Sequence, residues 1–340
     1  MKKNILVTMP VSAAQREALR SAAGEGELRF RLGEDLPSGR GGQLPFSDLL
    51  PAEPLVEQDF AWANAILGNV DPGLLRAAKN LEWMQTSSAG VEPYLLPGLL
   101  PEGAVLTNAT GAYGLAISEH MLGMLLCLLK KLELYRDAQG REEWASQGMV
   151  GSVYGSTVLV LGMGDIGGDF GRLCKAMGAY VIGVRRTPAL CPDYADEVHS
   201  SAKLDELLPR ADVVAVTLPG TPATRGLLDR DRINRMKPGA VLLNVGRGYI
   251  VDTQALCDAL EAGRLGGAGL DVTDPEPLPP GHRLWRLALI TPHVSGGYHL
   301  WETHQRIGNI FVENLGRFMA GEPLKNQVDF RTGYRRAGNI

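Results

Sequence analysis

The sequence predicts an α/β protein of two domains, a small parallel α/β domain and a larger one built around a doubly wound parallel sheet. Three observations predict it. Short apolar runs alternate with helical patterns along most of the chain, as in successive strand–helix–strand units. One stretch, residues 157–187 (TVLVLGMGDIGGDFGRLCKAMGAYVIGVRRT), carries a strand, a glycine turn, a helix and a second strand in direct succession. At 340 residues the chain exceeds what one hydrophobic core ordinarily serves.

Residues 4–8 read as a strand and 12–23 as a helix with Ser12 as N-cap. Residues 28–32 read as the next strand, and the Gly- and Pro-rich residues 33–54 as a surface loop. Residues 63–67 and 81–85 are strands flanking a short helix at 72–79, opened by Asp71-Pro72. A last strand of this first sheet falls at 105–108. Residues 113–134 read as one long, largely apolar helix, suited to a domain junction or a subunit interface. The central βαβ unit follows: strand 158–161, helix 165–177 with Gly178 at its end, strand 180–184. Apolar runs at 213–218, 241–245, 268–272 and 289–291 continue the second sheet, with helical patterns at 204–208, 230–236 and 253–262 between them. Residues 301–320 form a final helix, and 326–340 a polar tail.

Composition removes several classes of function. Thirty-four basic against 38 acidic residues give a net charge of −4, so nothing favours nucleic acid or an anionic membrane as partner. No run approaches the roughly 18 apolar residues of a membrane span, and the N-terminal apolar run is too short for a secretory core. Cys127, Cys174, Cys191 and Cys257 are scattered, with no metal-binding spacing. They are expected to be buried, reduced thiols of a cytoplasmic protein.

Ligands of an open α/β sheet bind beyond the carboxyl ends of its strands, so the chemistry is sought there. Gly162-Met163-Gly164-Asp165-Ile166-Gly167 is the G-x-G-x-x-G turn of a dinucleotide site. Gly162 permits the turn, Gly164 admits a pyrophosphate, and Gly167 lets helix and strand close up. The second strand runs out into Arg185-Arg186-Thr187, where an NAD enzyme ordinarily places an acidic residue for the ribose 2′-hydroxyl. Two guanidiniums there suit a 2′-phosphate, so NADP(H) is the preferred cofactor and NAD(H) the alternative. The loop after the third strand of this sheet, with Leu218, Pro219 and Thr224, is rigid enough to line a cofactor. Arg247 stands between Gly246 and Gly248 and can grip a carboxylate with two parallel hydrogen bonds. Glu276 lies between two prolines, and His293 follows the last short strand. Together they offer an anion clamp, a carboxylate and a proton donor. Thr86-Ser87-Ser88-Ala89-Gly90-Val91, in the first domain, can aim backbone N–H groups at an anion.

Over nearly its whole length the sequence resembles the D-isomer-specific 2-hydroxyacid dehydrogenases, within them the glyoxylate/hydroxypyruvate reductases. The family's motifs stand here as TSSAGV (86–91), NATGAYGLAISEH (108–120), GMGDIG (162–167), NVGRG (244–248), GLDVTDPEPL (269–278) and TPHVSG (291–296). The resemblance implies a Rossmann-type nucleotide domain at 109–299 and a smaller flavodoxin-like substrate domain at 1–108 plus 300–340. It implies catalysis by Arg247, Glu276 and His293, with Ser88, Ala89, Gly90 and Val91 binding the substrate together with Arg247 and His293. Asp271 is implied to hold the nicotinamide amide, with Val245, Gly246 and Gly296 completing the cofactor site. A small 2-oxo acid would be reduced to the D-2-hydroxy acid: His293 gives the proton, Glu276 orients it, and Arg247 binds the carboxylate and polarises the carbonyl. A homodimer is implied, with the 113–134 helix in its contact. Side-chain contacts to substrate are sought at Tyr94, Trp144, Tyr298 and Trp301. The rivals are a phosphoglycerate-type dehydrogenase lacking a regulatory domain and a non-enzymatic dinucleotide-sensing interaction protein. A formate dehydrogenase is disfavoured by Glu276, where glutamine is expected.

Overall fold

The computed structural model describes residues 2–32, 53–186, 191–297, 300–331 and 333. The chain divides into two units, Met1–Tyr113 with Tyr298–Ile340, and Gly114–Gly297.

The first unit runs β1 (Asn4–Val7), α1 (Ala13–Ala23), β2 (Glu27–Leu32), β3 (Glu53–Pro54), α2 (Glu57–Trp62), β4 (Ala65–Leu67), β5 (Trp83–Gln85) and β6 (Val105–Thr107). Among the described residues its sheet is ordered β3-β2-β1-β4-β5-β6, with every pairing parallel. The strands are short and apolar because both sheet faces are covered: Ile5, Leu6, Ile66, Leu67 and Trp83 have no exposed surface. Ser12 caps α1 and shares a reciprocal capping box with Gln15.

The second unit opens with α3 (Gly114–Lys130) and α4 (Leu132–Gly140). It continues β7 (Thr157–Leu161), α5 (Asp165–Ala176), β8 (Tyr180–Arg185), β9 (Glu197–Ser200), α6 (Leu204–Leu207), β10 (Val213–Val216), α7 (Arg230–Arg235), β11 (Val241–Asn244), α8 (Thr253–Glu261), β12 (Gly267–Leu270), α9 (Leu284–Leu287) and β13 (Leu289–Ile290). Its sheet, again parallel throughout, is ordered β13-β12-β11-β10-β7-β8-β9. Strand order reverses between β7 and β10, and ligands of such sheets bind at that switch point. The chain then returns to the first unit as α10 (Trp301–Ala320). The doubly wound α/β class expected from the sequence is the class observed. Among the described residues no helix is long and apolar enough to cross a membrane.

Several local expectations fail for physical reasons. The 113–134 helix is two helices: Lys131 takes a left-handed conformation, φ +55°, and its ammonium donates to the Gln147 carbonyl at 2.6 Å. The 72–79 helix is only a 3₁₀ turn at Leu74–Ala77. Glu53–Pro54, counted within a loop, pairs with β2, and residues 33–52 lie outside the described residues. The helix α2 goes unread because it is short; its Asp59 is fully buried and takes Arg29 and Arg31 from β2.

The edge strand β9 goes unread because it is polar rather than apolar. It is held by charge instead: Glu197 accepts from Arg210, His199 and the Tyr180 hydroxyl, and these partners draw its carboxyl down to about 2. The cysteines are not uniformly buried. Cys174 and Cys257 are, Cys127 is half-buried, and Cys191, in the turn beyond β8, is exposed. Burial pushes the Cys174 thiol up to about 12.

Candidate active site

The glycine turn joins β7 to α5. Gly162 has φ +105°, a conformation that side chains rarely adopt. A methyl at Gly167 would overlap the Gly162 carbonyl and come within 2.6 Å of Thr217 Oγ1. Thr217, at the end of β10, donates to the Gly162 carbonyl at 2.6 Å and so clasps the turn from the far side of the switch point. Gly164, the N-cap of α5, has open space where its side chain would be, which is the cradle a pyrophosphate needs. These features fit a dinucleotide. Met163 is buried against Gly183 of β8, so only its backbone faces a ligand. Asp165, the first residue of α5, faces the start of α3, where a methyl on Gly114 would come within 3.0 Å of its carboxylate. Ile166 is half-buried in the first turn of α5. Arg185 ends β8 beside Ser200 of β9, Arg186 is exposed one residue on, and Thr187 lies outside the described residues.

The loop after β10 is self-supporting. Thr224 is buried; its hydroxyl donates to the Pro219 carbonyl at 2.8 Å and accepts from the Thr221 N–H at 2.9 Å. The Leu218 carbonyl packs so closely on Gly246 that a methyl there would overlap it. Asn244, at the end of β11, holds the arginine turn from both sides. Its Oδ1 accepts from Gly246 N–H and its Nδ2 donates to the Arg247 carbonyl, both at 3.0 Å. Val245 is buried behind this turn. Arg247 is half-buried, and its Nη1 donates to the Gly246 carbonyl at 2.7 Å.

β12 leads to Asp271 and on to Glu276, and β13 leads to His293. Glu276 Oε1 lies 2.6 Å from His293 Nδ1, which leaves Nε2 as the ring nitrogen available to a ligand. The two side chains are 41% and 50% exposed, accessible to a bound molecule. Thr253 of α8 ties down the Glu276 loop by donating to the Asp274 carbonyl at 2.9 Å. Because β11, β12 and β13 are neighbours, Arg247, Glu276 and His293 all leave the same sheet edge. Asp271 is 2% exposed and binds protein: it accepts from the Thr291 hydroxyl at 2.6 Å and from the N–H groups of Val294 and Ser295 at 2.9 and 3.2 Å. Gly296 follows that turn and is half-buried.

The 88–91 loop belongs to the first unit. The carbonyls of Ser87, Ser88, Ala89 and Gly90 accept, in order, from the Tyr113 hydroxyl, Thr86 Oγ1, Asn108 Nδ2 and Ser88 Oγ. In a planar trans peptide the N–H points opposite to the carbonyl. Tying down these carbonyls therefore turns the N–H groups of Ser88, Ala89, Gly90 and Val91 the other way, as an anion cradle requires. Tyr94, considered for substrate contact, is buried, with its hydroxyl bonded to both the N–H and the carbonyl of Val70 at 3.0 Å. Trp301 is half-buried at the start of α10, and Tyr298 lies outside the described residues. Sequence reasoning missed Thr217, Asn244, Thr291 and His120. Asn244, Thr291 and His120 all stand inside quoted motifs and Thr217 opens the loop after the third strand, but nothing local to any of them marks its role.

A model of the D-isomer specific 2-hydroxyacid dehydrogenase NAD binding domain matches residues 122–295. The chain belongs to this family and is an oxidoreductase that uses a nicotinamide dinucleotide. The crystal structure of a D-isomer specific 2-hydroxyacid dehydrogenase family protein from Aeromonas salmonicida is 33% identical, with a TM-score of 0.78 over 97% of this chain and 100% of that one. The NADPH-dependent glyoxylate/hydroxypyruvate reductase of Sinorhizobium meliloti, solved with NADP and sulfate, is 26% identical, with a TM-score of 0.76 over 98% and 100%. The D-3-phosphoglycerate dehydrogenase of Mycobacterium tuberculosis is 33% identical over 78% of this chain, which spans only 50% of that enzyme's length.

Proposed function

We propose that the protein reduces a small 2-oxo acid to the D-2-hydroxy acid with NADPH. The observation that carries this reading is the Glu276–His293 pair, closed at 2.6 Å, on the sheet edge that also carries Arg247. The bound nicotinamide supplies the hydride to the carbonyl carbon. His293 Nε2 gives its proton to the carbonyl oxygen as negative charge grows there, and Glu276 holds the ring through Nδ1. The Arg247 guanidinium stabilises that charge and binds the substrate carboxylate. The test is NADPH oxidation by the purified protein with glyoxylate, hydroxypyruvate, pyruvate and bulkier 2-oxo acids. No oxidation above the blank with any of them would refute the proposal.

The cofactor preference rests on Arg185 and Arg186, with no acidic residue in their place, and is supported by the NADPH dependence of the S. meliloti relative. A charge-assisted hydrogen bond to a 2′-phosphate contributes about 1.5–3 kcal/mol, roughly one to two powers of ten. The double change Arg185→Ala with Arg186→Ala is expected to lower kcat/KM for NADPH by roughly 10–100-fold and for NADH by no more than about threefold. Equal losses with both cofactors would place the arginines in structure instead.

We also propose a homodimer. Between α4 and β7, Trp144, Met149 and Tyr154 are 105%, 92% and 80% exposed, a run of large apolar groups that a second copy would cover. Sedimentation is expected to show a dimer, and Trp144→Ser with Met149→Ser to weaken it. A monomeric parent protein at micromolar concentration would refute this.

A further inference from the structure

The conformation of His293 needs support that the proposed chemistry does not supply. Its φ is +53°, in the left-handed region that a non-glycine residue keeps only where the surroundings enforce it. The enforcement is visible. The His293 N–H donates to the Asp271 and Thr291 carbonyls at 2.9 and 3.0 Å, and the next two N–H groups donate to the Asp271 carboxylate. Thr291 and Asp271 thus hold the turn that presents the imidazole.

A fourth residue completes the network. His120, on α3, places Nε2 at 3.0 Å from Thr291 Oγ1 and 3.9 Å from Asp271 Oδ1. A hydroxyl has one hydrogen, and a carboxylate has none to give when ionised. Thr291 sits 2.6 Å from Asp271 Oδ1, so its hydrogen goes to the carboxylate. His120 must then be the donor to Thr291 Oγ1, with its hydrogen on Nε2. That bond fixes the Thr291 rotor, which aims the hydroxyl at Asp271, which fastens the N–H groups of Val294 and Ser295.

We infer that His120 is a positioning residue for the proton donor, acting on His293 through Thr291 and Asp271. The inference rests on the reading of His293 as that donor. What His120 contributes is one N–H at a set place, not its charge. Glutamine can offer an N–H at similar reach, and leucine cannot.

The test is steady-state kinetics of the full-length protein with NADPH and its best 2-oxo acid, comparing His120→Leu, His120→Gln, Thr291→Val, Thr291→Ser and His293→Ala. His120→Leu and Thr291→Val are expected to lower kcat by about 10–100-fold, the scale of a reacting group displaced by an ångström or less. KM for NADPH and the unfolding midpoint should stay near the parent values. Each conservative change, His120→Gln and Thr291→Ser, is expected to restore kcat to within about threefold of the parent. Should His120→Leu fold poorly, the Thr291 pair and His120→Gln decide the matter. An unchanged kcat in His120→Leu and Thr291→Val, with His293→Ala inactive, would overturn the inference alone. Glutamine no better than leucine would also overturn it. Full activity in His293→Ala would remove the underlying reading and the inference with it.

Discussion

Replacing His293 by alanine is expected to lower kcat on a 2-oxo acid by roughly 10²–10⁴-fold, the span that loss of a positioned general acid produces. The pair with Glu276 at 2.6 Å engages Nδ1 and leaves Nε2 as the donor. No other titratable side chain is tied to this carboxylate among the described hydrogen bonds. The side chain is 50% exposed, so its removal opens no cavity, and alanine inherits the same backbone torsion. Stability should change by about 1 kcal/mol or less, because the lost bond to Glu276 is open to solvent. KM for NADPH should be close to that of the parent, since the lost interaction belongs to proton transfer. A variant retaining more than half of the parent kcat would take His293 out of the chemistry.

Gly248→Ala is expected to abolish most of the activity without touching any reacting atom. A methyl there would overlap the Thr273 carbonyl and lie 2.6 Å from Asp274 N. Both are backbone, so no rotamer change relieves the clash. Either the turn that carries Arg247 or the loop that leads to Glu276 must move. A displacement of about an ångström at such a site costs on the order of 10²-fold in rate. Overpacking of this kind also costs about 1–3 kcal/mol of stability. Gly316→Ala is the control: it lies in α10 with open space around it, and should leave activity intact. Parent-like kcat/KM in Gly248→Ala would show that the close approach does not hold Arg247 in place.

Sequence legibility followed the range of the forces involved. The βαβ unit was readable because strand, turn and helix are contiguous and each residue type has a local reason. The buried strands were readable because both faces are apolar, as at Val158 and Leu159. β9 was not, because an edge strand can be held by Glu197 and its cationic partners rather than by apolar burial. The break at Lys131 was hidden because apolar residues continue on both sides while one left-handed residue turns the axis. In the site, Arg247, Glu276 and His293 could be named from their places after strands. The residues that hold them could not: His120 and Thr291 meet across 171 positions, and Thr217 closes on Gly162 across 55. Only the folded sheet brings such pairs together.

The central claim is that hydride leaves the nicotinamide for a 2-oxo carbon while the protein supplies the proton. It is tested most directly by incubating the purified protein with NADPH and glyoxylate or hydroxypyruvate, then measuring NADPH consumed and hydroxy acid formed. For hydroxypyruvate, the chirality of the product is resolved as well. The account predicts one hydroxy acid for each NADPH oxidised, of D configuration where a stereocentre forms, and near-complete loss in His293→Ala. NADPH oxidised without hydroxy acid, or an L product, would contradict it.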